Sequence, residues 1–242
     1  MSPGGDEITK VFAVNGSNRK GKGNMAKLLT PFLEGMKEGG AEVEMVYSQD
    51  LDIKDCWGEF NCWYKHPEIC HQKDEMQEMY PMLRASDILV LGIPRYIPMP
   101  APMQAFINRL CPLIEPVLEV KDSRTVARFH EDVRIKKMVL VAVSGWWELG
   151  NMDLLVEIVK EVAKDSDVEF SGALLRPHAN EMARPEAADV LEAARRLGKQ
   201  LVSQGRMSPE DLATVSRPLV SWEDDLERSN RGYQETKRQA GG

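Results

Sequence analysis

The sequence lacks an apolar run long enough to cross a membrane, and its first residues, MSPGGDEITK, contain no apolar signal-peptide core. It also lacks an excess of basic residues, because 31 Lys and Arg stand against 38 Asp and Glu in 242 residues, a formal net charge of −7. A nucleic-acid partner requires a basic face. We therefore expect a cytoplasmic protein with neither a membrane nor a nucleic-acid partner. Its hydrophobic content of 43% suffices for a large core.

Cysteine is scarce, but three of the four cysteines lie close together in the chain. Cys56, Cys62 and Cys70 fall within one short segment, and Cys111 lies further along. In a cytosolic chain, clustered cysteines indicate metal or redox chemistry before they indicate disulfides. Cys111 lies on the apolar face of a helical pattern and is interpreted as a core residue. The histidines are interpreted as surface residues.

Apolar runs alternate with helical patterns along most of the chain. The predicted strands are Ile8–Val14, Val43–Val46, Ile88–Gly92, Met138–Val143 and Val168–Leu175. Apolar residues at helical spacing predict helices that begin near residues 25, 76, 103, 152 and 190. Because the strands are almost wholly apolar and alternate with helices, we expect an α/β fold with a parallel sheet covered on both faces.

Three segments do not fit this alternation. Residues 50–73 form a long excursion that contains the clustered cysteines and several aromatic residues, and residues 118–137 form a charged surface insertion. Residues 208–242 follow the last core helix and begin with Ser-Pro-Glu, which is typical of a helix start. We therefore divide the chain into a domain of residues 1–207 and an extension of residues 208–242, interpreted as an oligomerisation arm.

Residues 16–24, GSNRKGKGN, directly follow the first predicted strand and lead into the first predicted helix. Backbone N–H groups and the positive end of a helix dipole make such a loop an anion site, which favours a bound phosphate. Gly16, Gly21 and Lys22 match the nucleotide-triphosphate loop, but Gly23 replaces the hydroxyl residue that holds magnesium. The loop suits a phosphate monoester such as that of FMN better, while a solvated basic turn is the alternative without function.

Two further loops are expected to meet this one, because ligands of open parallel sheets bind beyond the carboxyl ends of the strands. The loop after the third strand, residues 93–102, is rich in proline and contains Tyr96. The loop after the fourth strand, residues 144–151, contains Trp146 and Trp147, which could flank a planar ring. Each feature alone also fits ordinary turn or rim packing.

Together, three stretches resemble the NADPH-dependent FMN reductase family: GSNRKGKGN, GIPRYIPMPAPMQAFINR and VAVSGWWELGN. The similarity runs from about Lys10 to Lys199, and the nearer branch is that of the iron–sulfur flavoproteins. The resemblance implies a flavodoxin-like, doubly wound, five-stranded parallel sheet of order 2-1-3-4-5 with a C-terminal helical extension. It also implies bound FMN that takes hydride from NAD(P)H, so that no catalytic side chain is required.

The loops and the resemblance assign two sets of candidate FMN-binding residues. The phosphate set lies in the first loop and consists of Ser17, Asn18, Arg19, Asn24 and Met25. The set expected to line the flavin ring lies in the other two loops and consists of Pro94, Arg95, Tyr96, Ile97, Ser144, Gly145 and Trp146.

The cysteine segment departs from the iron–sulfur branch, which has a compact run of four cysteines for a cubane cluster. Here the run reads CWGEFNCWYKHPEIC, with Glu59 where a further cysteine would stand. A cluster completed by His66, His71 or Glu59 and a zinc site completed by a histidine stay open. The favoured interpretation is a loop without metal or cluster whose aromatic residues pack near the flavin or a neighbouring subunit.

The sequence therefore predicts an FMN-dependent oxidoreductase that takes hydride from NAD(P)H and passes electrons to a flavin, a quinone or another small acceptor. A homodimer or homotetramer is expected. One alternative is an FMN-binding electron carrier without a substrate of its own. The other is a nucleotide-triphosphate binder that uses the first loop.

Overall fold

The computed structural model describes residues 8–240, which contain seven strands and eight α-helices. The strands are β1 (Lys10–Asn15), β2 (Glu42–Tyr47), β3 (Ile88–Pro94), β4 (Ile114–Lys121), β5 (Arg124–Phe129), β6 (Lys137–Val143) and β7 (Glu169–Arg176). The helices are α1 (Asn24–Glu38), α2 (Asn61–Tyr64), α3 (Met76–Arg84), α4 (Ala101–Asn108), α5 (Asp153–Asp165), α6 (Ala188–Gln204), α7 (Pro209–Ser216) and α8 (Trp222–Ala240).

Five strands form one parallel sheet of order β2-β1-β3-β6-β7, which confirms the predicted fold class and strand order. Both faces of the sheet are covered. Phe12 and Val14 belong to a core cluster that includes residues of α3, α4 and α5, whereas Val11 and Ala13 belong to the cluster that includes residues of α1 and α6. Because successive residues of a strand point to opposite faces, a strand between two helical layers must be apolar throughout.

The sheet has its topological switch point between β1 and β3. From β1 the chain continues to β2 on one side and then returns to β3 on the other, so the loops that leave β1 and β3 run in opposite directions. The resulting crevice lies at the carboxyl ends of the strands, where the sequence predicted a site.

The charged segment of residues 118–137 is not a simple surface insertion. Most of it, together with residues 114–117, forms an antiparallel hairpin of β4 and β5. Val126, Phe129, Val133 and Ile135 of this segment are buried. Only β5 contributes buried residues to this hairpin, whereas β4 has none and its Leu118 and Val120 are exposed.

The C-terminal extension begins with a helix that packs on the core. Val215 and Asp211 of α7 are buried, and Asp211 accepts hydrogen bonds from Arg196 of α6. By contrast, no residue of α8 is buried. Within the extension of residues 208–242, α7 thus packs on the core, whereas α8 contributes no buried residue. Among residues 8–240, no helix combines the length and the apolar character needed to cross a bilayer.

Candidate functional site

The loop after β1 is held in shape by its own polar groups. The backbone N–H of Ser17 donates to Oδ1 of the buried Asn15 at 3.0 Å, and Oγ of Ser17 accepts from the N–H of Arg19 at 3.2 Å. A Cβ atom on Gly23 would lie 2.6 Å from that Oγ, so the chain passes close to Ser17 only because residue 23 is glycine. The loop is thus a compact cradle around the Ser17 hydroxyl.

Helix α1 begins at the end of this cradle without a side-chain cap. Its N-cap residue is Gly23, and no side chain of the described residues accepts a hydrogen bond there. The backbone N–H groups of Asn24, Met25 and Ala26 have no acceptor inside the helix, because a first turn has none. An anion at this end would satisfy them and meet the positive end of the helix dipole.

The candidate phosphate residues differ in what they can offer. Asn18 and Arg19 are exposed, and Arg19 makes no ion pair with any residue from 8 to 240, so its guanidinium is available. Lys20, in contrast, pairs with Asp50. Asn24 is half-buried, and its Nδ2 donates to Oδ1 of Asn180 at 2.8 Å, which links this loop to the one after β7. The side chain of Met25 is buried in the core, so only its backbone N–H faces the loop.

The loop after β3 is attached to the loop after β6. The N–H of Arg95 donates to the carbonyl of Val143 at 2.8 Å, and its Nε donates to the carbonyl of Asn151 at 3.2 Å. Pro94 is the last residue of β3, while Tyr96 and Ile97 project at the tip, where Ile97 is 94% exposed. The backbone folds back as the N–H of Tyr96 donates to the carbonyl of Pro98, across a cis peptide bond between Ile97 and Pro98. The exposed side chains of Tyr96 and Ile97 therefore present an apolar surface to solvent at the tip of this loop.

The loop after β6 turns tightly at Ser144. Oγ of Ser144 accepts from the N–H of Trp146 at 3.1 Å, and its carbonyl accepts from the N–H of Ala179 at 2.8 Å. Gly145 and Trp146 are exposed, Trp146 to 63%. Trp147 is half-buried, and its Nε1 donates to the carbonyl of Val220 at 3.1 Å. Its indole therefore holds the C-terminal segment.

Two open depressions meet at Trp146. One, of about 510 Å³, is lined by Arg95, Trp146, Glu148, Gly150 and Asn151. The other, of about 590 Å³, lies between the residue 145–148 turn and α8, whose Trp222 and Leu226 line it. The loops after β3 and β6 line these depressions, whereas no residue of the loop after β1 lines either of them, and α8 adds a wall that sequence reasoning did not place there.

Sequence reasoning also missed a buried pair behind the loop after β6. Arg176 and His178 are both buried. Nη1 of Arg176 donates to the carbonyls of Val215 and Arg217 at 2.9 and 2.8 Å, and its Nη2 lies 2.9 Å from Nε2 of His178. The interpretation of His178 as a surface residue was wrong, because His178 is only 1% exposed. Its burial follows from its position just after β7, and no sequence motif marks that position.

The charges of this pair are set by burial. Loss of solvent, together with the nearby charge of Arg217, lowers the pKa of Arg176 to about 10, so the guanidinium stays charged at neutral pH. Burial and then the Arg176 charge lower the pKa of His178, although Asp225 and Glu181 act in the opposite direction. With its proton on Nδ1, a neutral His178 accepts from Arg176 at Nε2, and the N–H of Leu219 shares the same acceptor atom at the longer distance of 3.3 Å.

The cysteine segment lies apart from these loops. Cys111 is not a core residue of α4 as interpreted from the sequence, but lies half-buried in the turn after it, with its sulfur 3.8 Å from that of Cys62. Within residues 8–240, no three or more His, Cys, Asp or Glu side chains are grouped so as to hold a metal ion. Because Glu59 stands where the iron–sulfur branch would have a further cysteine, a cubane cluster would have to take Cys111 as its fourth ligand.

Comparisons with known proteins agree with the fold. The sequence profile described as NADPH-dependent FMN reductase matches residues 9–153. The chain is 35% identical over 104 residues to an iron–sulfur flavoprotein of Archaeoglobus fulgidus, covering 43% of this chain and 46% of that protein. It is 28% identical over 178 residues to an iron–sulfur flavoprotein of Methanosarcina thermophila, covering 64% of this chain and 92% of that protein. The chain therefore spans less than half the length of the first relative.

Solved structures share the architecture at low sequence identity. An azoreductase of Bacillus anthracis superimposes with a TM-score of 0.58 and 16% identity, over 81% of this chain and 100% of that one. At this identity the likeness concerns the fold alone.

Proposed function

The chain belongs to the NADPH-dependent FMN reductase family, and on this premise we propose that it is an FMN-dependent oxidoreductase. In this proposal it takes hydride from NAD(P)H and passes electrons to a flavin, a quinone or another small acceptor. Bound FMN would supply the hydride acceptance and electron transfer. The protein's own residues then have to bind the phosphate, orient the ring and leave one face of it accessible.

The phosphate would lie in the loop after β1. Its ligands would be the backbone N–H groups at the start of α1, including that of Met25, the hydroxyl of Ser17 and the side chains of Asn18 and Arg19. Asn24 would contribute its backbone, because its side-chain amide is already bonded to Asn180. This donor set is metal-free and bears one available cation, which suits a single phosphate group.

The ring would lie between the tip of the loop after β3 and the turn after β6. Pro94, Arg95, Tyr96 and Ile97 would line one edge, and Ser144, Gly145 and Trp146 the other. Because the Arg95 side chain donates to the carbonyl oxygen of Asn151 and forms no ion pair with a carboxylate of residues 8–240, its charge is not cancelled there. A cation beside the ring favours the anionic reduced form and raises the reduction potential.

The observation that carries the proposal is the uncapped start of α1, which lies at the switch point beside the Gly23–Ser17 cradle. It is tested by titrating the cofactor-free chain with FMN and with riboflavin, which lacks the phosphate. We expect FMN to bind more tightly by a factor of ten or more, since one charge-assisted hydrogen bond contributes about 1.5–3 kcal/mol.

A variant locates the phosphate in the loop. Gly23→Ala, which pushes against Oγ of Ser17, should weaken FMN roughly tenfold or more and leave riboflavin nearly unchanged. Gly232→Ala on α8 is the matched control, because a Cβ there meets nothing within 4 Å. Equal affinity for FMN and riboflavin would contradict the phosphate site. Magnesium-dependent binding of ATP instead would favour the nucleotide-triphosphate alternative.

Anaerobic addition of NADPH or NADH to the loaded protein separates the enzyme from the electron carrier. The visible flavin absorbance should bleach within seconds for an enzyme, because the nicotinamide reaches the ring. A chain that binds FMN but bleaches only with dithionite would be a carrier.

We also propose that α8 is an oligomerisation arm. No residue of this helix is buried, yet Trp222, Leu226 and Tyr233 are exposed apolar side chains at spacings of four and seven residues, which place them on one face. A second copy of the chain is the proposed partner for that face, in a homodimer or homotetramer.

A further inference from the structure

A cavity of about 310 Å³ lies between the 50–73 excursion and the end of α4, and all four cysteines of the chain line it. Trp57 and Phe60 form part of its wall. None of the residues that line it belongs to the loops assigned to FMN. Whatever chemistry the thiols perform therefore does not depend on the flavin proposal.

Two of the four thiols are already paired. Sγ of Cys62 and Sγ of Cys111 lie 3.8 Å apart, within hydrogen-bond distance, whereas no such contact joins Cys56 or Cys70 to another sulfur in the described part of the chain. A disulfide requires about 2.05 Å between sulfurs, so the pair has to close by about 1.8 Å. Side-chain rotation can supply a movement of that size.

The backbones on either side are held together by a separate bond. Nε1 of Trp63, the residue after Cys62, donates to the carbonyl of Cys111 at 3.0 Å. This bond fixes α2 against the turn of Cys111–Leu113 whether or not the sulfurs are joined. The two cysteines therefore stay opposed in the reduced protein, which is the arrangement that a reversible disulfide needs.

The two thiols differ in character. The hydrogen bond from Cys111 lowers the pKa of Cys62, with a smaller contribution from the Arg109 charge, against opposing effects of burial and Glu59. The same bond and burial raise the pKa of Cys111. Arg109 itself is buried in the cavity wall, held by Asp74 at 2.7 and 3.0 Å. The bonded pair therefore favours a thiolate on one sulfur and a protonated thiol on the other, and we take Cys62, the buried member, as the nucleophile and the half-buried Cys111 as the resolving thiol.

We propose that Cys62 and Cys111 form a redox-active dithiol that hydroperoxides oxidise to a disulfide through this cavity. The Cys62 thiolate attacks the O–O bond of the hydroperoxide, which leaves a sulfenic acid on Cys62 and releases the alcohol, or water from hydrogen peroxide. Cys111 then attacks the sulfenic sulfur, forms the S–S bond and displaces water. In sum, two thiols and one hydroperoxide give one disulfide, one alcohol and one water, and an external dithiol reverses the change.

The test uses the full chain, fully reduced and then exposed to one equivalent of hydrogen peroxide. Remaining thiols are alkylated, and the disulfide is mapped by mass spectrometry of peptides. We expect the loss of two free thiols per chain, one linked peptide pair that contains Cys62 and Cys111, and full recovery with dithiothreitol. A linkage between Cys56 and Cys70, between two chains, or no loss of thiols would overturn the proposal.

Variants assign the two roles. Cys111→Ser should trap the sulfenic acid on Cys62, detectable with dimedone, whereas Cys62→Ser should abolish both the disulfide and the dimedone adduct. Cys56 and Cys70 line the same cavity, so the variants Cys56→Ser and Cys70→Ser serve as matched controls. In both variants oxidation should proceed at the rate of the natural chain. Purification of the natural chain with one metal ion or cluster bound through Cys62 and Cys111 would also overturn the proposal.

Discussion

Arg176 and His178 are buried next to each other although neither has a carboxylate partner in hydrogen-bond contact. Nη1 of the guanidinium donates to carbonyl oxygens at the end of α7, and Nε2 of the imidazole faces the guanidinium and the N–H of Leu219. Nε of Arg176 and Nδ1 of His178 are buried without a hydrogen-bond partner among residues 8–240. This arrangement works only while His178 is neutral, because a protonated imidazole has no acceptor lone pair. The pair thus joins the C-terminal segment to the sheet at the cost of a pH-sensitive contact.

Stability should therefore fall in mild acid. Since the pKa of His178 is lowered in the folded state, the unfolded chain binds a proton below about pH 6.5 that the folded chain does not. The contribution of His178 to the free energy of unfolding is therefore complete above that pH. It is lost as the pH falls below it, by about 1.4 kcal/mol for each unit of pKa difference between the folded and unfolded states. Urea unfolding between about pH 5 and pH 8 measures the effect.

A substitution isolates this histidine. His178→Asn keeps a residue that tolerates the positive φ of 32° at this position and removes the titrating group. We expect a lower stability at neutral pH and a flatter dependence on pH. The exposed His66, changed to Asn in the same way, is the control and should keep the slope of the natural chain. An unchanged slope in His178→Asn would assign the effect to another group.

At the scale of elements, α1 and α6 approach each other through two glycines. A Cβ on Gly198 would lie 1.9 Å from the carbonyl oxygen of Phe32, and one on Gly35 would lie 1.8 Å from that of Arg195. Backbone atoms cannot yield as side chains can, so the two helices would have to separate. The amphipathic patterns predicted both helices, but the glycines in them determine how closely the helices pack.

Gly198→Ala should lower the free energy of unfolding by about 1–3 kcal/mol, the usual range for overpacking, in spite of the higher helix propensity of alanine. Denaturant unfolding followed by far-ultraviolet circular dichroism measures it. Gly232→Ala in α8 provides the comparison, since it adds helix propensity without a contact and should be neutral or raise the stability of that helix. A neutral Gly198→Ala would mean that α6 shifts at little energetic expense.

For the molecule as a whole, α8 is the one α-helix of residues 8–240 that has no buried residue. Arg228 of α8 forms an ion pair with Glu181 of the core at 2.6 Å, and residues of α8 form one wall of the depression beside Trp146. The apolar groups of Trp222, Leu226 and Tyr233 remain open to solvent. Apolar side chains aligned on one face of a helix indicate a surface that another chain covers.

A chain that ends at Val220 keeps the contacts of Arg176 and lacks the arm. We expect its mass in light scattering to fall to that of one chain, while the full chain has the mass of two or four. Its thermal midpoint, measured at equal protein concentration, should fall only as far as the lost association requires, because α8 buries no side chain. Trp222→Ser with Leu226→Ser in the full chain should act in the same direction. An assembly that survives both changes would contradict the role of the arm.

Much of this protein could be determined from its sequence, because the relevant signals are local. The apolar strands, the helical spacing and the glycine-rich turn after β1 each depend on neighbouring residues, so the α/β class and the position of the three loops could be predicted. The charged composition of residues 118–137 predicted a surface insertion, whereas Val126, Phe129, Val133 and Ile135 are buried in the structure.

Only the tertiary structure decided which distant residues meet. Asn24 with Asn180, Trp147 with Val220, and Cys62 with Cys111 lie 156, 73 and 49 positions apart in the chain. No periodicity joins such pairs, because their distance depends on how the chain crosses the sheet and on where each segment returns to the core. For that reason the sequence indicated that cysteine chemistry was to be expected here, and the fold determined which two thiols face each other.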